Sequence, residues 1–204
     1  SGGVNKDVFH DMDRDECLDK LSLDKNYHYY GMVSRIEKYK GYDTFLGALQ
    51  VLFRKNKLKN IKVLYIGTGD EQDKFDKLVQ EYKLEDIIIQ IKFVNQSTLA
   101  LYYNVMDLFI FPTRRKSESL GLVGLEAMAT SAFVIGCDLY GPRSYLVNNV
   151  NSLTFKDQKG LVEDILKYQS MSKEEKENII KEGNKTSLMY NKDKIDSYLK
   201  EIFD

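Results

Sequence analysis

Asp107 to Gly136 reads DLFIFPTRRKSESLGLVGLEAMATSAFVIG. An apolar run ends at Pro112, a polar loop follows, and the next apolar residues have helical spacing before a second β-prone run begins. Both β-prone runs are continuously apolar, which is typical of strands that are buried on both faces. The stretch therefore predicts strands at Asp107–Phe111 and Phe133–Gly136 that are joined through a helix at Leu122–Ala129.

The same alternation of apolar β-runs and helical stripes continues on both sides of this unit. It predicts an α/β protein with a single doubly wound, mostly parallel sheet between two layers of helices. In such sheets ligands bind at the carboxyl ends of the strands. The further predicted strands are Tyr27–Val33, Lys62–Ile66, Ile87–Phe93 and Leu153–Phe155, and helical stripes follow at 43–53, 75–82, 99–105 and from 161 to the end.

Length and composition predict one main globular domain. The chain has 204 residues, of which 43% are hydrophobic and 30% charged, and a domain typically takes about 150 residues. Residues 1–25 are acidic and offer little to bury, so we interpret them as a leading hinge segment. The main domain is expected at 26–189 and a C-terminal helix at 190–204.

The charge balance and the cysteines exclude several classes of function. Thirty Lys and Arg face thirty-one Asp and Glu, for a formal charge of -1, whereas sequence-independent nucleic-acid binding needs a surplus of cations. No apolar run approaches the roughly 18 residues that cross a bilayer, so we expect no transmembrane segment. Cys17 and Cys137 lie far apart without metal-ligand spacing, which favours two inert thiols in a cytosolic protein.

The first candidate binding cluster follows the first predicted strand. Arg35 offers a planar fork for two phosphate oxygens, Lys40 adds a compact charge, and Gly41 allows a tight entry into the next helix. Asp43 is the expected acidic cap of that helix. Together the two cations have the chemistry to neutralise a diphosphate, and the alternative is a solvated loop.

The second cluster surrounds the predicted helix start near Gly121. The backbone N–H groups of Leu120, Gly121 and Leu122 are expected to form an anion site at this helix N-terminus. Glu118 precedes the helix, and Glu126 lies within its apolar stretch, where an idle carboxylate would be costly. Two carboxylates that accept hydrogen bonds suit the hydroxyls of a sugar and a ribose. The alternative is a capping Glu118 with an incidental Glu126.

Other features carry weaker signals. Gly67–Gly69 is a lone G-x-G, which favours a turn into a helix capped by Asp70. His10 and His28 lack nucleophilic or metal-binding neighbours in the pattern and are interpreted as structural. The basic run Arg114–Lys116 either steers anions towards the site or forms a solvated loop.

Two of these motifs carry a family resemblance. The segment Arg35-x4-Lys40-Gly41-x-Asp43 and the later pair Glu118-x7-Glu126 resemble the C-terminal, donor-binding domain of retaining GT-B glycosyltransferases, of the family 4 (glycosyl transferases group 1) type. The resemblance extends over most of the chain. It includes the hinge-like Gly3–Phe9, the turn Leu64–Gly69, the strand region Tyr103–Pro112, the helix Leu125–Ala129 and the glycine loop Gly141–Arg143.

The resemblance implies a Rossmann-like domain, one half of a GT-B fold, with a defined site. Arg35 and Lys40 would hold the donor diphosphate, Glu118 would contact the transferred sugar, and Glu126 would hold the ribose hydroxyls. Further contacts implied by the family are Ser119, Leu120, Gly121 and Leu122 beside the sugar, and Phe93 and Val94 at the nucleotide base.

Members of that family transfer a sugar from a nucleoside-diphosphate sugar with retention and without a metal. The resemblance therefore implies a hexosyltransferase that favours a UDP-sugar and needs no cofactor. The acceptor, whether glycan, lipid or protein, would bind an N-terminal domain that we expect to be missing from an excised fragment such as this. Such a fragment would bind the nucleotide with little turnover. The expected location is cytoplasmic, with a peripheral position at the inner membrane face left open.

Three other functions are alternatives to a glycosyltransferase domain. A non-catalytic nucleotide- or phosphate-binding module would use the same cleft. A sugar-nucleotide epimerase would need additional acid/base carboxylates and histidines that the sequence does not offer. A purely structural module leaves Glu126 unexplained. Ser131 and Phe133 replace a glycine and a proline of the family pattern, which leaves the identity of the sugar open.

Overall fold

The computed structural model describes residues 2–116, 118, 120–139, 141–193 and 195. Within them lies one six-stranded sheet in which every neighbouring pair is parallel. The strand order is β3-β2-β1-β4-β5-β6. The strands are β1 (His28–Val33), β2 (Ile61–Ile66), β3 (Ile88–Ile91), β4 (Leu108–Phe111), β5 (Phe133–Cys137) and β6 (Leu153–Phe155).

Helices cover both faces of the sheet, so the predicted doubly wound α/β architecture is confirmed. Apolar side chains of α2, α3 and α6 pack on one face and those of α1, α4 and α5 on the other, while α7 packs beside α5 and β5. The helices are α1 (Arg14–Lys20), α2 (Tyr42–Arg54), α3 (Gln72–Glu81), α4 (Gln96–Val105), α5 (Leu122–Ala129), α6 (Gln158–Ser170) and α7 (Lys173–Met189).

The central strands explain why their sequences are continuously apolar. In β4, Leu108 and Ile110 point into the core under α2 and α6, whereas Phe109 and Phe111 point into the core under α4 and α5. All four side chains are buried. Successive strand residues face opposite sides, so a strand between two helical layers must be apolar at every position.

The leading segment corrects one expectation, because residues 1–25 do bury apolar surface. Val4, Phe9, Cys17 and Leu18 are all buried in the core under α4 and α5. α1 is a short helix whose N-cap, Asp13, accepts a hydrogen bond from the Glu16 amide at 2.8 Å. Four apolar residues spread over a polar segment produce no clear periodicity, which is why the sequence suggested little to bury.

Two predicted helix caps are also wrong. The N-cap of α2 is Gly41, with a φ of +87°, and the N-cap of α3 is Glu71; neither makes a side-chain capping bond. Asp43 lies in the first turn of α2 and pairs with Arg114 instead. Asp70 precedes the α3 cap. A Cβ on Gly41 would overlap the carbonyl oxygen of Pro112, so the turn requires glycine in two respects.

The sheet topology defines where a ligand can sit. The chain runs outward from β1 to β3, then returns to the centre and runs outward again from β4 to β6. The order therefore reverses between β1 and β4, and the loops that follow these two strands diverge around a crevice. Ligands of doubly wound sheets bind at this switch point.

Candidate functional site

A cation and a carboxylate meet at the switch point. Lys40 lies on the loop after β1 and Glu118 on the loop after β4, and the Lys40 Nζ lies 2.7 Å from the Glu118 Oε2. The two side chains are only 18% and 16% exposed. The Thr113 hydroxyl donates a second hydrogen bond to the same carboxylate oxygen at 3.1 Å. Two charges withdrawn from water are tolerated here because each has a partner.

These two side chains line a cavity of about 270 Å³ at the carboxyl ends of the strands. Arg35 lies at the same cavity and pairs through Nη1 with the Glu37 carboxylate at 2.7 Å, although its side chain is 67% exposed. The cavity is also lined by the start of α5, including Gly121, Leu122 and Val123. The predicted residues that share this cavity are Arg35, Lys40, Glu118, Gly121 and Leu122.

The start of α5 leaves its first-turn amides without a side-chain cap. Its N-cap is Gly121, with a φ of +70°, and it makes no side-chain capping bond. The hydroxyl of Tyr145 donates to the Gly121 carbonyl at 3.0 Å and fixes this turn. The alternative of a capping Glu118 therefore does not apply. The amides and the helix dipole favour an anion at the cavity wall.

Glu126 lies elsewhere on α5 and is not among the residues that line this cavity. Its carboxylate accepts a hydrogen bond from the Tyr103 hydroxyl at 3.2 Å. Burial raises the pKa of the Glu126 carboxyl to about 7, and the hydrogen bond from Tyr103 acts in the opposite direction. The expectation that Glu126 lines one pocket with Arg35, Lys40 and Glu118 is corrected: Glu126 lies on α5 about one turn after Leu122, outside the residues that line this cavity. Its role as a ribose contact stays a prediction.

The other predicted contacts are also separate from the cavity. Phe93 follows β3 and is 86% exposed, and the neighbouring Val94 is half-buried against the core under α4 and α5. Leu120 packs against that same core. Ser119 lies outside the described residues.

Sequence reasoning missed three residues that shape the site. Tyr103 is fully buried and supplies the partner of Glu126. Thr113, which is 2% exposed, holds Glu118. Arg114 is neither a solvated residue nor a free anion-steering charge, because its guanidinium binds both carboxylate oxygens of Asp43 at 2.8 Å. No local pattern signals the last pairing, since the partners are 71 residues apart.

A second, larger cavity of about 870 Å³ lies at the amino ends of the strands. None of the predicted site residues lines it. Its rim includes Arg14, Lys57, Lys59, Lys173 and Lys176. Among the described side chains, no three His, Cys, Asp or Glu gather as a metal site. None of the helices in the described ranges is long and apolar enough to cross a membrane.

The architecture and the site together define a class. A parallel sheet of this order, flanked by helices, matches the domains of GT-B glycosyltransferases. A family model described as "Glycosyl transferases group 1" matches residues 13–186. The chain therefore belongs to the group 1 glycosyltransferase family, and the expected kinship with the C-terminal domain of these enzymes is confirmed.

Named relatives in this family are longer than the chain. The capsular polysaccharide biosynthesis glycosyltransferase CapM of Staphylococcus aureus is 29% identical over 160 residues, which are 74% of this chain and 40% of that protein. The D-inositol 3-phosphate glycosyltransferase of Frankia alni is 28% identical over 158 residues, covering 74% of this chain and 38% of that protein. The chain thus spans about two fifths of these relatives' length.

Solved structures with low identity support the fold. The C-terminal domain of the group 1 glycosyltransferase LpcC from Francisella tularensis has a TM-score of 0.80 at 22% identity, over 93% of this chain and all of that domain. HepE from Anabaena, solved in complex with UDP-glucose, has a TM-score of 0.85 at 16% identity, over 98% of this chain and 55% of HepE.

Proposed function

We propose that this chain is the donor-binding domain of a retaining glycosyltransferase that transfers a hexose from a nucleoside-diphosphate sugar, preferably a UDP-sugar, without a metal. The observation that carries the proposal is the buried contact of 2.7 Å between Lys40 and Glu118 at the sheet's switch point. HepE, which shares the fold, was solved with UDP-glucose. That complex supports UDP as the first nucleotide to test.

The cavity offers the groups that a departing diphosphate requires. The Arg35 guanidinium forms two parallel hydrogen bonds to phosphate oxygens, and Lys40 contributes a point charge. The amides at the start of α5 add a fixed dipole. When the bond between the sugar and the diphosphate breaks, negative charge grows on the diphosphate, and pre-oriented cations stabilise that charge most. This assigns Arg35 and Lys40 a catalytic role as well as a binding role.

Glu118 and Glu126 would read the two ends of the donor. The Glu118 carboxylate, held by Lys40 and Thr113, accepts hydrogen bonds from hydroxyls of the transferred sugar. Glu126 receives one hydrogen bond from Tyr103 and has the capacity to accept others from ribose hydroxyls. Phe93 presents an exposed ring beside which the base would lie, next to Val94. Glu118 precedes α5 and Glu126 lies about one turn inside it, so an extended donor would be needed to contact both glutamates.

The acceptor would be read by a separate N-terminal domain, and the complete enzyme would act in the cytoplasm or at the inner membrane face. The shorter span of this chain relative to CapM supports that division of labour. On this proposal the 204-residue chain binds the donor and turns over little sugar alone.

Calorimetry with a panel of UDP, GDP, ADP and their sugar conjugates tests donor binding. We expect UDP compounds to bind most tightly. Arg35→Ala should weaken UDP binding by about 1.5–3 kcal/mol, the range of a hydrogen bond to a charged partner. Arg54→Ala, which removes an exposed arginine from the far end of α2, is the matched control and should leave UDP affinity unchanged. An Arg35→Ala affinity equal to the wild type would contradict the diphosphate assignment.

A non-catalytic nucleotide-binding module is the second candidate, because Arg35, Lys40 and the start of α5 at the cavity would bind a diphosphate in either case. The two candidates differ in the complete enzyme. Glu118→Ala there should lower the rate of sugar transfer by at least about 100-fold, as expected when a group that acts in the transition state is lost. Unchanged transfer would favour the non-catalytic module.

A further inference from the structure

Two loops carry the charged groups of the donor cavity, and the backbone of one touches the backbone of the other. The loop after β1 carries Lys40, and the loop after β4 carries Glu118. The Arg114 amide donates a hydrogen bond to the Tyr39 carbonyl at 2.7 Å. The turn at Gly41 packs so closely on Pro112 that no side chain fits between them.

The Arg114 side chain makes a second connection, from the loop after β4 to the first turn of α2, which directly follows the loop after β1. Its Nη2 donates to both carboxylate oxygens of Asp43 at 2.8 Å, and its Nη1 donates to the Thr44 hydroxyl. Asp43 lies in the first turn of α2, three residues after Lys40. Because both terminal nitrogens of the guanidinium have partners on α2, these contacts fix the orientation of its plane as well as its distance.

The geometry points to Arg114 and Asp43 as positioning residues for the donor diphosphate. The inference rests on the proposed function and adds a role for a pair that does not line the donor cavity. The contact between Lys40 and Glu118 forms only when the two loops keep one relative position. Arg114 and Asp43 hold that position, so the cation and the carboxylate are already placed when a donor arrives. Pre-placed groups spare a ligand the cost of ordering them.

Positioning and simple electrostatics predict opposite results for Asp43. If only charge mattered, Asp43→Asn would remove a negative charge near the cavity and tighten the binding of an anion. If the pair holds the loops, the same change weakens binding. Arg114→Lys keeps the positive charge and loses the planar fork, so it should also weaken binding.

UDP affinity of the 204-residue chain, measured by calorimetry well below the melting temperature, is the test. Asp43→Asn and Arg114→Lys should each weaken UDP binding by about 5- to 20-fold. The double variant should bind UDP no more weakly than the single variant with the larger loss, because contacting partners are coupled. Asp138→Asn is the matched control. It removes an arginine–aspartate pair at the same sheet edge, formed with Arg143 within one loop, at 2.8 Å. It should leave UDP affinity within about twofold, the small effect typical of an exposed pair.

Three outcomes would overturn the inference. The first is UDP binding by Asp43→Asn that equals or exceeds the wild type. The second is wild-type affinity in Arg114→Lys. The third is a lower melting temperature in both variants with unchanged UDP affinity, which would make the pair merely structural.

Hydrogen exchange separates this inference from the proposed function. Asp43→Asn should speed exchange of the Arg114 amide, which is bonded to Tyr39, whether or not UDP binds. If the Arg114 amide exchanges faster in Asp43→Asn but the wild type does not bind UDP, the donor assignment is contradicted. The connection of the two loops by Asp43 and Arg114 would still be supported. Unchanged exchange would contradict the connection itself.

Discussion

The two ends of the sheet differ in a way that separates a candidate site from a surface groove. The cavity at the amino ends is about 870 Å³, and the cavity at the carboxyl ends is about 270 Å³. In the smaller one, Lys40 and Glu118 are largely buried and come from loops that lie far apart in sequence. In the larger one, Lys173 pairs with Glu177 on its own helix at 3.6 Å, with side chains 90% and 61% exposed, and Arg14 pairs with Asp107 at 3.2 Å, with side chains 35% and 24% exposed. Of these three ion pairs, the one that is most withdrawn from water therefore lies in the smaller cavity.

Helix polarity explains the difference between the ends. α2 and α5 begin at the carboxyl end of the sheet, where their N-termini favour anions. At the amino end, α2 and α6 terminate, and Arg54 and Lys167 complement their C-termini. These two cations thus have a structural reason to be present, whereas Lys40 at the other end lies near positive helix termini and must be held by Glu118.

The largest expected effect is at Gly41, a residue with a positive φ at the carboxyl end of the sheet, and it is compared with Asn60, which has a positive φ at the amino end. Gly41→Ala combines a positive φ, worth about 1–2 kcal/mol, with overlap against Pro112, worth about 1–3 kcal/mol. We expect a loss of roughly 2–5 kcal/mol in the free energy of unfolding, measured by urea denaturation. Asn60, with a φ of +57° before β2, is the control at the amino end. Asn60→Ala should lower the free energy of unfolding by about 1 kcal/mol. Equal losses in the two variants would contradict the expected difference between the two ends of the sheet.

The next effect concerns Glu126, a half-buried acid on α5. Burial raises the pKa of Glu126 in the folded protein to about 7, from an ordinary value of 4.5. Between these values the native state holds more protons than the unfolded state, so stability falls as pH rises from about 4.5 to 7 and then levels off. The loss amounts to at most about 3 kcal/mol. Glu126→Gln should flatten this part of the pH profile, followed by urea denaturation at each pH.

Donor binding should lower the pKa of Glu126, whereas folding raises it. Ribose hydroxyls that donate to Glu126 favour its charged form, so UDP binding at pH 6 should release a fraction of a proton. Calorimetry in two buffers of different ionisation enthalpy measures this release. Glu126→Gln is expected to abolish it, and release that persists in this variant would assign the proton to another group.

The smallest effect is expected at the amino end. Lys57→Ala and Lys176→Ala should each leave UDP affinity within about twofold, because neither residue lies near the donor cavity. The Lys176 ammonium lies 4.3 Å from the centre of the Tyr168 ring, so its loss should cost about 0.5–1 kcal/mol of stability. A tenfold loss of UDP affinity in either variant would show that the two cavities are not independent.

Much of this organisation is readable from the sequence because burial leaves a periodic signal. Strands that are apolar at every position predict the parallel sheet, and the bounds expected for α5, Leu122–Ala129, are the observed ones. The carboxyl-end rule then places the loops of Lys40 and Glu118 at the same edge of the sheet. That the two loops are neighbours follows from the pairing of β1 with β4, which the sequence pattern does not give.

Pairings between distant polar residues are not readable in this way. Asp43 was expected to cap α2 by local logic, but a guanidinium 71 residues later competes for its carboxylate. Glu126 was expected in the cavity because it is a costly acid, yet it lies outside the cavity lining and accepts one hydrogen bond from Tyr103. The predicted C-terminal helix at 190–204 falls largely outside the described residues. Polar partners depend on three-dimensional placement, and the sequence pattern carries no signal for them.

The hydrogen bonds of Val4 have a practical consequence for protein engineering. Its amide donates to the Tyr190 carbonyl at 2.9 Å, and its carbonyl accepts from the Lys192 amide at 3.0 Å. The beginning of the chain and the segment after α7 therefore run side by side. A short glycine–serine tether from Lys192 to Gly3, in place of the residues beyond them, with new ends opened at the exposed surface turn 55–57, should give a circular permutant that retains the parallel sheet.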